Sequence, residues 1–260
     1  MAIMSGPRIM FGSTSDERLG IMRTVLLAVL SSLLLAACNS PTKQTTTTDD
    51  LSGALSKPYR VLILGDSISM GYTPHVREQF AGEAIVVRAM NEKGKNENCA
   101  GTKKGIEHVD RWLAMEGGGW DVIHYNFGLH DLKRVMPDTG KNSNDPSHTN
   151  QAPLALYEKQ LREIAVKLAG TGAKLVFATT TPVPDGGVRP YRDPEDVARY
   201  NAVGVRVAEE VGAEMNDLFG FALTGMPGMQ KDTDVHFSKE GNVALAERVV
   251  AVIRGVLAGG

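Results

Sequence analysis

Residues 60–69 read Arg-Val-Leu-Ile-Leu-Gly-Asp-Ser-Ile-Ser. The apolar, partly β-branched run up to Leu64 stops at Gly65, the mark of a strand buried on both faces. Gly65-Asp66-Ser67-Ile68-Ser69 then makes a tight turn at the strand's carboxyl end. A Ser in such a turn can present its hydroxyl with backbone N–H groups close by. It can equally do no more than cap the helix that follows.

The same alternation of apolar strands and helix-period segments continues to the C-terminus. Strands are expected at 84–89, 120–127 and 174–179, with a short fifth at 213–216. Helices are expected at 74–81, 103–115, 154–169 and 194–211. A last helix is capped by Ser238 and runs to about Leu257. Leu154, Leu161, Ile164, Ala165 and Leu168 form the buried face of the 154–169 helix. Continuous apolar strands separated by helices predict a three-layer α/β/α, flavodoxin-like domain with a mostly parallel sheet of about five strands. Ligands bind such sheets beyond the carboxyl ends of the strands.

Composition narrows the partners. The chain has 260 residues with 28 Lys+Arg against 30 Asp+Glu, a net charge of −2, which argues against a nucleic-acid binder. At 42% hydrophobic and 22% charged residues it can bury a core. Two cysteines, Cys38 and Cys99, exclude a disulfide-dense scaffold and a four-Cys zinc site. No His-x-x-x-His pair, calcium loop or glycine-rich phosphate loop occurs, so no metal or cofactor is expected.

The first 57 residues read differently. Arg23 precedes an apolar run from Val25 to Leu35, shorter than the roughly 20 residues that span a bilayer. A charged start, a short apolar stretch and small residues at the cut mark a signal peptide beginning at Met22. Leu35-Ala36-Ala37-Cys38 resembles the lipobox of bacterial lipoproteins. That resemblance implies cleavage before Cys38, lipidation of its sulfur and an exported, membrane-anchored protein on the periplasmic or cell-surface side. The expected organisation is a signal peptide and upstream extension at 1–37, a lipidated Cys38 and Thr/Ser-rich tether at 38–57, and one domain at 58–260. Cys99 is then a quiet, partly buried thiol without a partner.

Three further segments carry possible chemistry. Asn98-Cys99-Ala100-Gly101-Thr102 ends the loop after the second strand, where Gly101 can bring its N–H to a substrate oxygen, or Thr102 can simply cap a helix. The third strand runs into Gly128-Leu129-His130-Asp131, in which Asp131, like Asp66, reads as turn-stabilising. Asp232-Thr233-Asp234-Val235-His236 precedes the last helix. A late Asp and His far from an early Ser is one chain order for a hydrolytic triad, in which a base takes the Ser proton and an acid orients the base.

Gly65-Asp66-Ser67, Gly101, Gly128-x-His130-Asp131 and Asp234-x-His236 together resemble the four blocks of the SGNH (GDSL) esterase/lipase family, in order across residues 59–257. The resemblance implies hydrolysis of carboxylic esters, with Ser67 as nucleophile, His236 as general base and Asp234 orienting it. It also implies an oxyanion hole from the Ser67 and Gly101 N–H groups and His130. Two positions depart from the pattern. His130 stands where the family usually has Asn, as in a subgroup with Gly-Leu-His-Asp; a neutral imidazole can donate one N–H there. Thr233 occupies the usual acid position three residues before the His, which leaves Asp234 as the choice and Asp232 as its rival.

The segments 136–153 and 182–194 are long and polar, which suits a hydroxylated ligand better than a long acyl chain. Tyr191 could stack on a sugar; Trp120 begins a strand and reads as core. His124 reads as a hydrogen-bonded core residue, and His75, His108 and His148 carry no role. The leading expectation is an ester substrate with a short acyl group, an O-acetyl on carbohydrate. The alternatives are a lysophospholipase or thioesterase with the same triad, and a non-catalytic glycan-binding lipoprotein.

Overall fold

The computed structural model describes residues 57–259. The expected signal peptide, the expected lipidation site Cys38 and nearly all of the expected tether lie outside the described residues. Among the described residues, five strands form one parallel sheet: β1 (Tyr59–Leu64), β2 (Ala84–Arg88), β3 (Val122–Tyr125), β6 (Lys174–Ala178) and β7 (Glu214–Asn216). Their order is β2-β1-β3-β6-β7. Val61 to Leu64 are all fully buried, as a central strand covered on both faces requires. Helices α1 (Ser67–Gln79) and α6 (Lys239–Ala258) pack together on one face. Helices α2 (Thr102–Leu113), α3 (Leu154–Ala169) and α4 (Pro194–Glu210) pack in sequence on the other. This is the expected three-layer α/β/α domain. Its strand order reverses between β1 and β3, where such folds open a crevice at the carboxyl ends.

Most elements fall where the sequence places them, and the differences have physical causes. Helix α1 starts at Ser67, not at 74, and carries Pro74 in its interior. An interior Pro normally breaks a helix. Here the inward face of Ile68, Ser69, Tyr72, Thr73 and Val76 holds it, and the small polar Ser69 and Thr73 hide the amphipathic period. Leu154 is exposed at the first position of α3, and Tyr157 takes its place in the core, its hydroxyl donating to the Phe127 carbonyl at 2.8 Å.

Three elements carry no readable signal: the two-residue antiparallel strands β4 (Arg134–Val135) and β5 (Thr149–Asn150), and α5 (Leu218–Gly225). Two-residue strands show no period, and α5 is apolar nearly all round, with Gly220 inside it and Gly225 at its end. The Ser238 cap on α6 is present, its Oγ accepting from the Gly241 N–H at 3.1 Å.

Candidate active site

The turn after β1 is tied down from several sides. Asp66, not Ser67, caps α1: its buried carboxylate accepts from the Ile68 N–H at 2.9 Å. Burial raises the Asp66 pKa above the usual carboxylate range. Beneath the turn lies Arg88, the fully buried last residue of β2. Its guanidinium donates to Ser69 Oγ at 3.0 Å, the Gly65 carbonyl at 3.2 Å and the Glu97 carbonyl at 2.7 Å. One cation thereby joins the turn bearing Ser67 to the loop leading to Gly101. With capping done by Asp66, the Ser67 hydroxyl is free for another partner.

The second and third blocks are joined by Asp131. Its Oδ1 accepts from the Thr102 N–H at 2.8 Å and the Thr102 hydroxyl at 2.6 Å. Thr102 is therefore not the cap of α2; Gly101 holds that position without a side chain, and Asp131 supplies the acceptor from another loop. A Cβ at 101 would come within 2.7 Å of Asp131 Oδ1 and 2.9 Å of Gln151 Nε2, so any other residue there must push Asp131 off Thr102 or displace Gln151. Burial pushes the Asp131 carboxyl up to about 6. Beside it, His130 is largely buried; burial, with Lys133, Arg192, His236 and Lys104 nearby, brings its pKa down to about 3. The imidazole is neutral near pH 7 and can donate one N–H.

The last segment meets the first. His236 Nε2 lies 2.8 Å from Ser67 Oγ, and His236 Nδ1 lies 2.6 Å from Asp234 Oδ1. With a carboxylate accepting at Nδ1, the proton sits on Nδ1 and the bare Nε2 faces the Ser67 hydroxyl. Burial would raise the Asp234 carboxyl, but the hydrogen bonds from His236 outweigh it and hold the pKa below its usual value. Asp232 is exposed and makes no hydrogen bond with His236. Gln230 steadies the segment, its Nε2 donating to the carbonyls of Pro182 at 2.8 Å and Val235 at 2.9 Å.

The other readings sort as follows. His124 is fully buried, with Asn216 Nδ2 3.1 Å from its Nε2, and burial lowers its pKa to about 4. Trp120 is core. Tyr191 is partly buried, with the Arg134 guanidinium 5.9 Å from its ring centroid. Cys99 is wholly buried, and its thiol is pushed up to about 12. Arg88 and Arg192 bear on the site and were not expected there. A lone Arg ending an apolar strand is a signal for the first; an Arg in a Pro- and Gly-rich loop gives none for the second. A hollow of about 220 Å³ beside the His236 segment is lined by Pro182, Pro184, Ala222, Leu223 and Met226 among others. A larger one, about 510 Å³, opens at the opposite end of the sheet near Leu175, Val211 and Val256.

The model of the GDSL-like lipase/acylhydrolase family matches residues 63–244. No curated protein matches the chain. Among solved structures, a lipase/acylhydrolase from Enterococcus faecalis is 21% identical with a TM-score of 0.58, covering 76% of this chain and 96% of its own. The acetyl xylan esterase AlAXEase is 16% identical with a TM-score of 0.57, covering 75% of this chain and 99% of its own. The psychrotrophic esterase EstA from Pseudoalteromonas sp. is 14% identical with a TM-score of 0.54, covering 76% of this chain and 98% of its own. These likenesses speak to the fold; the family match covers most of the chain. This chain belongs to the GDSL-like lipase/acylhydrolase family and is a carboxylic ester hydrolase.

Proposed function

We propose that the protein removes short acyl groups, O-acetyl above all, from carbohydrate through a Ser67–His236–Asp234 triad. The observation that carries this reading is the unbroken chain of hydrogen bonds from Ser67 Oγ through His236 to Asp234. Ser67 Oγ attacks the ester carbonyl carbon while His236 Nε2 takes its proton, and Asp234 stabilises the imidazolium that forms. The tetrahedral oxyanion is met by the N–H groups of Ser67 and Gly101 and by the neutral His130 ring. Collapse expels the alcohol, which takes the proton back from His236, and leaves an acyl-Ser67 ester. Water, deprotonated by His236, then releases the acid and restores Ser67. Export and anchoring through Cys38 would put this activity at a membrane surface, among glycans.

The polar loops and the likeness to an acetyl xylan esterase support the short-acyl reading. The hollow beside the His236 segment mixes Leu223 and Met226 with Gln230, Lys231 and Asp232, so only its inner wall offers an apolar surface to a longer chain, as in a lysophospholipase or thioesterase. Hydrolysis of aryl acetate and aryl octanoate, by wild type beside Ser67→Ala, separates them. Turnover that favours acetate and falls at least about 10⁴-fold in Ser67→Ala is the expected result. A preference for octanoate moves the assignment to lipid-like esters. Turnover retained in Ser67→Ala removes Ser67 from the mechanism, and a folded wild type that binds glycan but turns over neither ester selects the glycan-binding alternative.

A further inference from the structure

Two cations stand side by side next to His130. Lys133 and Arg192 are directly opposed in an antiparallel bridge, and the neighbouring Arg134 N–H donates to the Tyr191 carbonyl at 2.8 Å. Residues directly opposite in an antiparallel pair project to the same side, and like charges placed there repel. Arg134, one residue on and so facing the other way, is neutralised: its guanidinium lies 3.2 Å from Asp196 and 4.0 Å from Asp193. Among the described residues no carboxylate comes within 4.0 Å of either Lys133 or Arg192.

The local acids are already engaged. Asp66 holds the Ile68 N–H, Asp131 holds Thr102, and Asp234 holds His236. They temper the two charges from a distance without pairing with them.

Arg192 is only 7% exposed. Its Nε donates to the Leu129 carbonyl at 2.7 Å and one terminal nitrogen to the Pro190 carbonyl at 3.2 Å. This fixes the guanidinium beside the third block. Its other terminal nitrogen and the Lys133 ammonium have no hydrogen-bond partner among the described residues, yet neither is sealed from solvent. A fixed guanidinium and a half-buried ammonium, each with open N–H groups, match a carboxylate. Both charges reach the site: they depress the His130 pKa, and Arg192 couples to Asp66 and Asp234.

We propose that Lys133 and Arg192 form an anion subsite that selects esters bearing a carboxylate, as an acidic glycan does. This rests on the ester-hydrolase reading above and names the substrate class for that same site.

The test compares, on the full chain, aryl acetates carrying a ring carboxylate or its isosteric carboxamide, and aryl hemisuccinate against aryl butyrate. In one of the two pairs the charged ester should be favoured roughly tenfold in kcat/KM, through KM, the scale of one charge-assisted hydrogen bond. Added salt should shrink the preference. Lys133→Gln should bring the charged-to-neutral ratio towards one, and Lys133→Glu should reverse it; Arg192→Met should act like Lys133→Gln. Lys133 carries the test if Arg192→Met does not fold. Equal turnover of charged and neutral esters in both pairs overturns the proposal. So does a Lys133→Gln variant that slows both members of each pair equally, since the cations then serve only the oxyanion. Silence of wild type on all four esters overturns the esterase reading itself, and the subsite with it.

Discussion

The two halves of the Ser–His pairing are built in opposite ways. Ser67 follows a strand with no exposure from Val61 to Leu64, on a turn whose Gly65 carbonyl is held by both Arg88 and the Cys99 N–H. The side chains of His236 and Asp234 are 46% and 39% exposed, on a segment outside the sheet. Their mutual geometry is local: Asp234 Oδ1 accepts both the His236 backbone N–H at 3.2 Å and its ring Nδ1 at 2.6 Å. A carboxylate turning back on the N–H two residues ahead is an Asx turn. It orients the imidazole locally, on a segment that the buried Val235 and Phe237 anchor to the core, which is how a spacing of two brings Asp234 onto Nδ1. The placement of Ser67 depends on the sheet; the mutual geometry of the proposed His236–Asp234 pair is set by the Asx turn. Substitutions in the first region should therefore cost stability and turnover together, and those in the second should cost turnover alone.

The sharpest break of that contrast lies within the second region. Asp234→Ala should lower kcat by about 10³ to 10⁴, because the imidazole loses its tautomer and the imidazolium its counter-charge. Thermal unfolding should stay within about 0.5 kcal/mol of wild type, as for an exposed site. Asp232→Ala should leave both unchanged. A larger kinetic loss at Asp232 than at Asp234, measured side by side, would transfer the acid role and undo the Asx-turn argument.

Arg88→Met tests the first region. It removes three charge-assisted hydrogen bonds from a fully buried position, worth about 3 kcal/mol of stability once the relief of burying the charge is counted. If Arg88 aligns the Ser67 turn with the Gly101 loop, kcat should fall while KM holds, and Arg88→Lys should recover part of it. A variant with lowered Tm but wild-type kcat would reduce Arg88 to a structural ion.

Much of this was legible in the chain because the chemistry follows strand ends. The apolar run before Gly65 names β1, and three further segments place Gly101, His130 and His236 at or beyond the same edge of the sheet. The start of α1 was not legible, since Pro74 looks like a boundary and Ser69 and Thr73 dilute the period. Nor were β4 and β5, because pairing two residues with two leaves no pattern; yet the chain beside them opposes Lys133 to Arg192. Asp232 and Asp234 could not be separated by spacing, because side-chain direction in a loop depends on which backbone N–H the carboxylate reaches.

His130 belongs with the first region by burial, and its neutral ring has one N–H to donate. His130→Ala should cost about 10² to 10³ in kcat if the ring is an oxyanion donor. His130→Asn should restore part of that, since an amide also offers an N–H. Near-wild-type turnover for the Ala variant would confine the oxyanion contacts to the backbone.

The smallest effect separates the regions by pH. His124 lies in β3, paired in register with Ile63 of β1, with Tyr72 of α1 edge-on to its ring at 6.2 Å. Burial brings its pKa to about 4 from an ordinary 6.5. Above pH 6.5 the ring is neutral in folded and unfolded chains alike, and no stability is lost. Between pH 6.5 and 4 the unfolded chain binds a proton that the folded chain refuses, so stability falls as pH drops, by at most about 3 kcal/mol. His130 acts in the same direction and Asp131 in the opposite one, but both are shared with a His124→Gln variant and cancel in the comparison. Denaturant unfolding of the two proteins should therefore give curves that run parallel above pH 6.5 and converge or cross below it, the wild type falling faster. Parallel curves down to pH 4 would mean that His124 finds room to ionise. The floor beneath Ser67 would then be less rigid than its burial implies, and the difference between the two halves of the site correspondingly smaller.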